Sequence, residues 1–294
     1  MIARVTHQTV QRQTLANLQG NLSAMAALQA QMSSGKKISV PSEDPAGASD
    51  MLRLRGDQRA LTQYARNASD GDSWLTTVDS ALTASLAALR RARDLTLQGG
   101  DGALGQASRD ALAAELEGVR DTLLDQANST YVGRNVFAGT SDAGVAFRAD
   151  YTHTGVTGAL PVERRIGDAS TVRVDSDGAA VFGAGADSVF ARLDMIAAAL
   201  RSGGDPTTHL GAIDTHMEAM LTEVASIGAR HGQVIAATSD LKSQELTVKS
   251  QLSGIEDIDL AEVILELQMQ EVAYQGALGA ASKVLQPSLM DFLR

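Results

Sequence analysis

Cysteine is absent from all 294 residues. That excludes disulfides and thiolate metal sites. Aromatic residues make up 3% of the chain, with a single tryptophan, Trp74. So few large rings leave few centres for a compact core. No apolar run approaches the ~20 residues of a membrane span. The opening MIARVTHQTVQRQTLANLQG has no apolar stretch of the kind that marks a cleaved signal peptide. Export, if it happens, needs another route. Positive charge is also short: 25 Lys and Arg stand against 35 Asp and Glu, a net charge of −10. With no clustered basic stripe to displace counterions, nucleic acid and anionic membrane surfaces are disfavoured as partners.

What is present is alanine, leucine, glutamine, serine and threonine in helical spacing, which favours long helices packed side by side. A first helix is expected from Val5 to Met32, with Leu15, Leu18, Leu22, Met25 and Met32 on one narrow stripe and Gln29 in the remaining slot. One stripe of that width cannot stabilise a helix in water without a partner. The chain then breaks in QMSSGKKISVPSEDPAGAS, Gln31 to Ser49. Gly35 is the expected left-handed stop, and Asp44-Pro45 an N-cap followed by proline at the first helical position. A second helix follows to about Gln98, burying Trp74, Val78, Leu82, Leu86 and Leu89. Beyond the corner Gly99–Gly105, a third runs to about Tyr131 on Leu112, Leu116, Val119 and Leu123.

Helical spacing stops between Val136 and Ala186. VFAG, FRADYTH, PVERRI, TVRVD and AAVFG read there as short strands separated by turns. Helix resumes at Ser188. From Leu210 to Ile255 apolar residues recur in alternating steps of three and four, broken by His231, Thr238 and Glu245. This is a heptad seam about 70 Å long. Ser253-Gly254 and IEDID interrupt it, and Asp259 with Glu262 resembles a capping box. A last helix carries Leu260, Ile264, Leu267, Tyr274, Leu278, Ala281 and Leu285, and ends before Pro287. The expected fold is mainly α: a long antiparallel helical rod with a small β-rich inserted domain and amphipathic terminal helices. The divisions are 1–45 and 256–294 as terminal assembly helices, 46–135 and 187–255 as outgoing and returning rod, and 136–186 as the insertion.

Catalytic, cofactor and metal chemistry finds no support. Asp175-Ser176-Asp177-Gly178 opens like a calcium loop, but the twelfth position is Ala186 instead of the required glutamate, so a turn is expected. Neither Gly99–Gly105 nor SSGKK completes a phosphate loop. His209 and His216 are two helical turns apart, and His231 sits in the seam, where a polar residue sets register. No serine occupies a G-x-S-x-G turn. Arg90, Arg91 and Arg93 read as a solvated face, with an acidic neighbouring subunit as the alternative.

Two segments carry a resemblance. LQAQMSSGKKISVPSEDPAGAS, Leu28 to Ser49, resembles the helix–stop–turn signature of the bacterial flagellin family. The turn residues concerned are Ser33, Ser34, Gly35, Asp44 and Pro45. The acidic turn and Gln/Ala-rich helix of Ile255 to Arg294 are similar to the family's other signature. TYVGRNVFAGTSDAGVAF looks like a segment found in a junction-type member and not in true filament subunits, on Gly133, Arg134, Phe137, Ala138, Gly139 and Thr140.

The resemblance implies a structural adaptor of the flagellum, not an enzyme, without cofactor, outside the cell and exported without a cleaved signal peptide. It implies as partners other copies of the chain in a helical ring, the first hook-associated protein, flagellin, and an export chaperone near the C-terminus. It also implies coupled folding of the terminal helices through Leu15, Leu18, Leu22, Met25, Met32, Leu260, Ile264, Leu267, Tyr274, Leu278 and Leu285. The alternatives are a short flagellin that builds the filament itself, or an exported adhesin that uses the β-rich insertion.

Overall fold

The computed structural model describes residues 7–155 and 161–284. The fold is mainly α. In chain order the elements are α1 (His7–Ser34), α2 (Pro45–Gly99), α3 (Gln106–Ala127), β1 (Thr130–Tyr131), β2 (Arg134–Asn135), β3 (Glu163–Arg165), β4 (Thr171–Arg173), α4 (Gly178–Phe182), α5 (Val189–Ser202), α6 (Leu210–Glu256) and α7 (Leu260–Val284). The chain divides into two compact units, Ala60–Gln244 and Met1–Arg59 with Glu245–Arg294.

In Ala60–Gln244 the main core forms where α2 lies against α6. Trp74, Val78, Leu82 and Leu89 are buried there with Ile213, Met220, Ile227, Val234 and Leu241. Those five α6 residues are spaced seven apart, and Met217 and Val224 pack half-buried between them. This is the geometry of a heptad seam. The two helices run antiparallel: Arg93 Nε near the end of α2 donates to Asp214 Oδ1 near the start of α6 at 2.8 Å. Arg91 pairs with Glu115 of α3. Two of the three clustered arginines thus find their acidic partners within the chain, not on another subunit. Helix α3 packs on α5 through Leu112, Leu116 and Leu123, as the spacing predicts.

The sheet content is smaller than expected. Among the described residues it consists of two antiparallel pairs, β1 with β2 and β3 with β4. PVERRI and TVRVD supply the second pair. VFAG and FRADYTH make only single bridges, Ala138 with Asp177 and Phe147 with His153. AAVFG is helix α4, not a strand: Asp177 Oδ1 accepts the Ala179 amide at 3.0 Å, and this cap nucleates a turn. The turn places Val181 and Phe182 inward. Phe182 stacks on Phe190 and meets Phe137 and Phe147 edge-on, with centroids 5.2 to 5.9 Å apart. Four of the chain's five phenylalanines thus gather in one small centre. Arg164 of β3 lies over the Trp74 ring at 5.4 Å and donates to Asp70 at 2.6 Å, tying this region to α2.

Candidate assembly surface

The turn after α1 is built as its residues predict. Gly35 has φ of 71°, and its amide closes on the Gln31 carbonyl at 2.8 Å. Ser33 is exposed in the last turn, while the Ser34 hydroxyl accepts the Lys36 amide at 3.2 Å. Asp44 Oδ1 accepts the amides of Ala46 and Gly47 at 3.1 and 3.0 Å, and Pro45 opens α2. Between these ends Glu43 accepts the amides of Ser39 and Val40, which hold its carboxyl below the usual range.

This turn is clasped to the break between α6 and α7. The Lys37 amide donates to the Glu256 carbonyl at 2.7 Å and the Ile258 amide to the Gly35 carbonyl at 3.3 Å, pairing Lys36 with Asp257 as a single antiparallel bridge. Beneath it Ile38, Ala48 and Met51 form a second small core with Leu252 and Ile255. The Glu256 carboxylate is 5% exposed and accepts from Lys36 Nζ and, at 2.7 Å, from Arg55 Nη2. The hydrogen bond from Lys36 first, and then the one from Arg55, hold its pKa down against burial. The acidic turn is legible in the sequence, but the roles of Glu256 and Arg55 are not. Their partners lie about two hundred residues away, and no local pattern announces them.

Helices α1 and α7 pack against each other, with Gln270 Nε2 donating to the Asn21 carbonyl at 3.3 Å. The seam positions are Thr14, Leu18, Asn21, Met25, Leu28 and Met32 on α1, and Val263, Leu267, Gln270, Tyr274, Ala277 and Ala281 on α7. Both series step four, three, four, three, four. Of the stripe read from sequence, Leu18, Met25, Met32, Leu267 and Tyr274 lie in this seam. Leu15, Leu22, Ile264 and Leu278 sit one residue away, about 100° round the helix, and Leu260 lies three residues before Val263. Leu15, Leu22, Leu260, Ile264 and Leu278 remain 36 to 54% exposed. Leu265, Met269 and Val272 are exposed as well, so α7 is apolar well beyond the face it buries. Leu285 and Pro287 lie outside the described residues.

The residues of the third motif build a hairpin and its packing. Gly133 has φ of 75° in the β1–β2 turn, beside Val132 at 49° and the exposed Arg134. Phe137 is fully buried, and its carbonyl accepts from the Gly178 amide at 3.0 Å and faces His153 Nε2 at 2.9 Å. Ala138 bridges to Asp177, Gly139 turns the chain at φ of 57°, and Thr140 follows exposed. Phe137 and Ala138 of this motif pack in the aromatic centre.

The Asp175–Gly178 turn is filled by protein donors. Asp175 Oδ1 accepts from the Val162 amide at 3.0 Å and Arg173 Nε at 2.9 Å. Among the described residues, no group of three His, Asp or Glu could hold a metal ion, and no helix is long and apolar enough to cross a membrane.

Comparison with known proteins matches residues 5–142 to the bacterial flagellin N-terminal helical region and residues 210–293 to the bacterial flagellin C-terminal helical region. Flagellar hook-associated protein 3 of Salmonella typhimurium is 28% identical over 93% of this chain and 94% of its own length. Flagellin of Bacillus subtilis is 24% identical over 93% of each. The crystal structure of Bacillus cereus FlgL superposes with a TM-score of 0.60, covering 68% of this chain and 99% of that one at 20% identity. The last likeness shows a shared fold.

Proposed function

We propose, from the premise that this chain belongs to the bacterial flagellin family, that it is the structural adaptor joining the hook to the filament. The family consists of structural flagellar proteins, and the chain resembles a hook-associated protein 3 more closely than a flagellin. One observation carries the reading. The intrachain α1–α7 seam takes in polar Thr14, Asn21 and Gln270 and small Ala277 and Ala281, and leaves larger apolar side chains, among them Leu22 and Ile264, facing outward. A helix pair that leaves a second row of large apolar side chains on the outside is suited to further helices. Each half-exposed leucine or isoleucine offers about 1 kcal/mol on full burial. Neighbouring copies, the first hook-associated protein and flagellin supply those helices. Before assembly an export chaperone near the C-terminus covers the same row, and the chain leaves the cell without a cleaved signal peptide.

The test is complementation of cells that lack this chain, using the full chain with Leu22→Gln and Ile264→Gln together. Electron microscopy is expected to show hooks without filaments, with flagellin shed into the medium, while the isolated variant unfolds in urea as the parent does. Normal filaments on the variant overturn the reading. The likeness to B. subtilis flagellin supports a second one, a short filament subunit. Copies along the filament's whole length, seen by immunolabelling, would favour it, and a single band at its base the adaptor.

A further inference from the structure

Three chain segments that are distant in sequence meet at the Glu256 carboxylate. Lys36 comes from the turn after α1, Arg55 from the third turn of α2, and Glu256 itself ends α6. A carboxylate this buried is costly to ionise unless it is paired. Its partners are half-exposed, at 46 and 45% of their side chains, so each can be changed without opening a core. Among the described residues, these two ion pairs are the ones joining the α1 turn and the start of α2 to the end of α6. The backbone adds only the Lys36–Asp257 bridge, and the cluster around Met51 is small.

We infer that Glu256 is a charge-locked clasp, a conformational device that holds the α1–α7 pair in one orientation on the ends of α2 and α6. Ionised, it draws both cations inward over the small core. Neutral, it leaves two positive groups competing for one weak acceptor, and the backbone bridge opens. The inference concerns the isolated chain and stands whether or not the adaptor reading does.

Hydrogen exchange on the dilute full-length chain tests it. Glu256→Gln is expected to speed exchange at least tenfold across residues 14–32 and 260–281 while leaving 68–99 and 213–241 within twofold of the parent. Lys36→Met, on the exposed side of the pair, is expected to give at least a threefold effect in the parent and less than twofold in the Glu256→Gln background. That non-additivity marks coupling through the carboxylate and separates it from local packing. Equal protection in parent and Glu256→Gln, equal Lys36→Met effects in both backgrounds, loss spread over 68–99 and 213–241, or a parent with no protection at 14–32 and 260–281 would each overturn it.

Discussion

His231 Nε2 lies 2.6 Å from Asp72 Oδ1, joining the middle of α6 to α2 across the heptad seam. Both side chains are partly exposed, at 39 and 46%, so the pair contributes at most about 1 kcal/mol. Its position on the seam matters more than its strength, because a polar contact there penalises registers shifted by a turn. His231→Leu and Asp72→Ala are each expected to change the urea unfolding free energy by no more than about 1 kcal/mol. A loss above about 3 kcal/mol would mark the pair as a buried one and refute this reading.

Gly47 lies in the first turn of α2, where alanine would ordinarily stabilise a helix by up to about 1 kcal/mol. Here a Cβ would stand 2.6 Å from Asp44 Oδ2 and 2.7 Å from Ile38 Cδ1. The cap and the small core must both give way, so Gly47→Ala is expected to destabilise this unit by about 1–2 kcal/mol. Limited proteolysis between residues 35 and 45 reads the effect, and slower cleavage than in the parent would contradict it.

Gly178 has a firmer constraint. A Cβ there would meet the Phe137 carbonyl at 2.7 Å, and His153 Nε2 and Phe147 Cε2 at 3.0 Å. Backbone and packed rings cannot swing aside. Gly178→Ala is expected to cost about 2–3 kcal/mol and to loosen the aromatic centre. Near-ultraviolet circular dichroism and thermal unfolding check this together.

Two of the titrations that give stability a pH dependence are those of His216 and Glu256, and both act in the same direction. Burial lowers the His216 pKa from its ordinary 6.5, against the backbone groups of Val181 and Asp187, which favour the charged ring. The unfolded chain therefore takes up this proton first as pH falls below 6.5, and stability declines until the folded chain is protonated too. For Glu256 the folded pKa lies below the usual 4.5, so its contribution is complete above 4.5 and disappears as pH falls through the folded value. Urea midpoints are expected to drop in two separate windows, the upper one absent in His216→Gln and the lower one smaller in Glu256→Gln. A flat profile between pH 7 and 5 in the parent would refute the first assignment.

Most of the helices were legible because their signals are local. Gly35, Asp44 and Pro45 act through backbone geometry and caps within four residues, and the α6 seam repeats every seven residues in one line of text. The insertion was read less well. Val136 to Gly139 and Ala179 to Gly183 have strand-like composition, yet a cap at Asp177 and the packing of Phe137, Phe147, Phe182 and Phe190 decided their form. Local propensity separates strand from helix weakly in runs this short.

Local residue patterns dictate that the chain is helical, where its helices break, and that both ends carry more apolar edge than one helix can hide. Which edge is hidden depends on how the helices meet in the fold. Thr14, Asn21 and Gln270 went into the α1–α7 seam and Leu15, Leu22 and Ile264 stayed outside, although the sequence offers either row. Rows one residue apart differ by a rotation of the helix about its axis, and which rotation wins depends on the facing helix, whose Gln270 is 249 residues from Asn21 in the chain. The same holds for Glu256, whose meaning lies wholly in Lys36 and Arg55. An acidic residue in a turn is ordinary until the fold brings two cations to it and takes the water away.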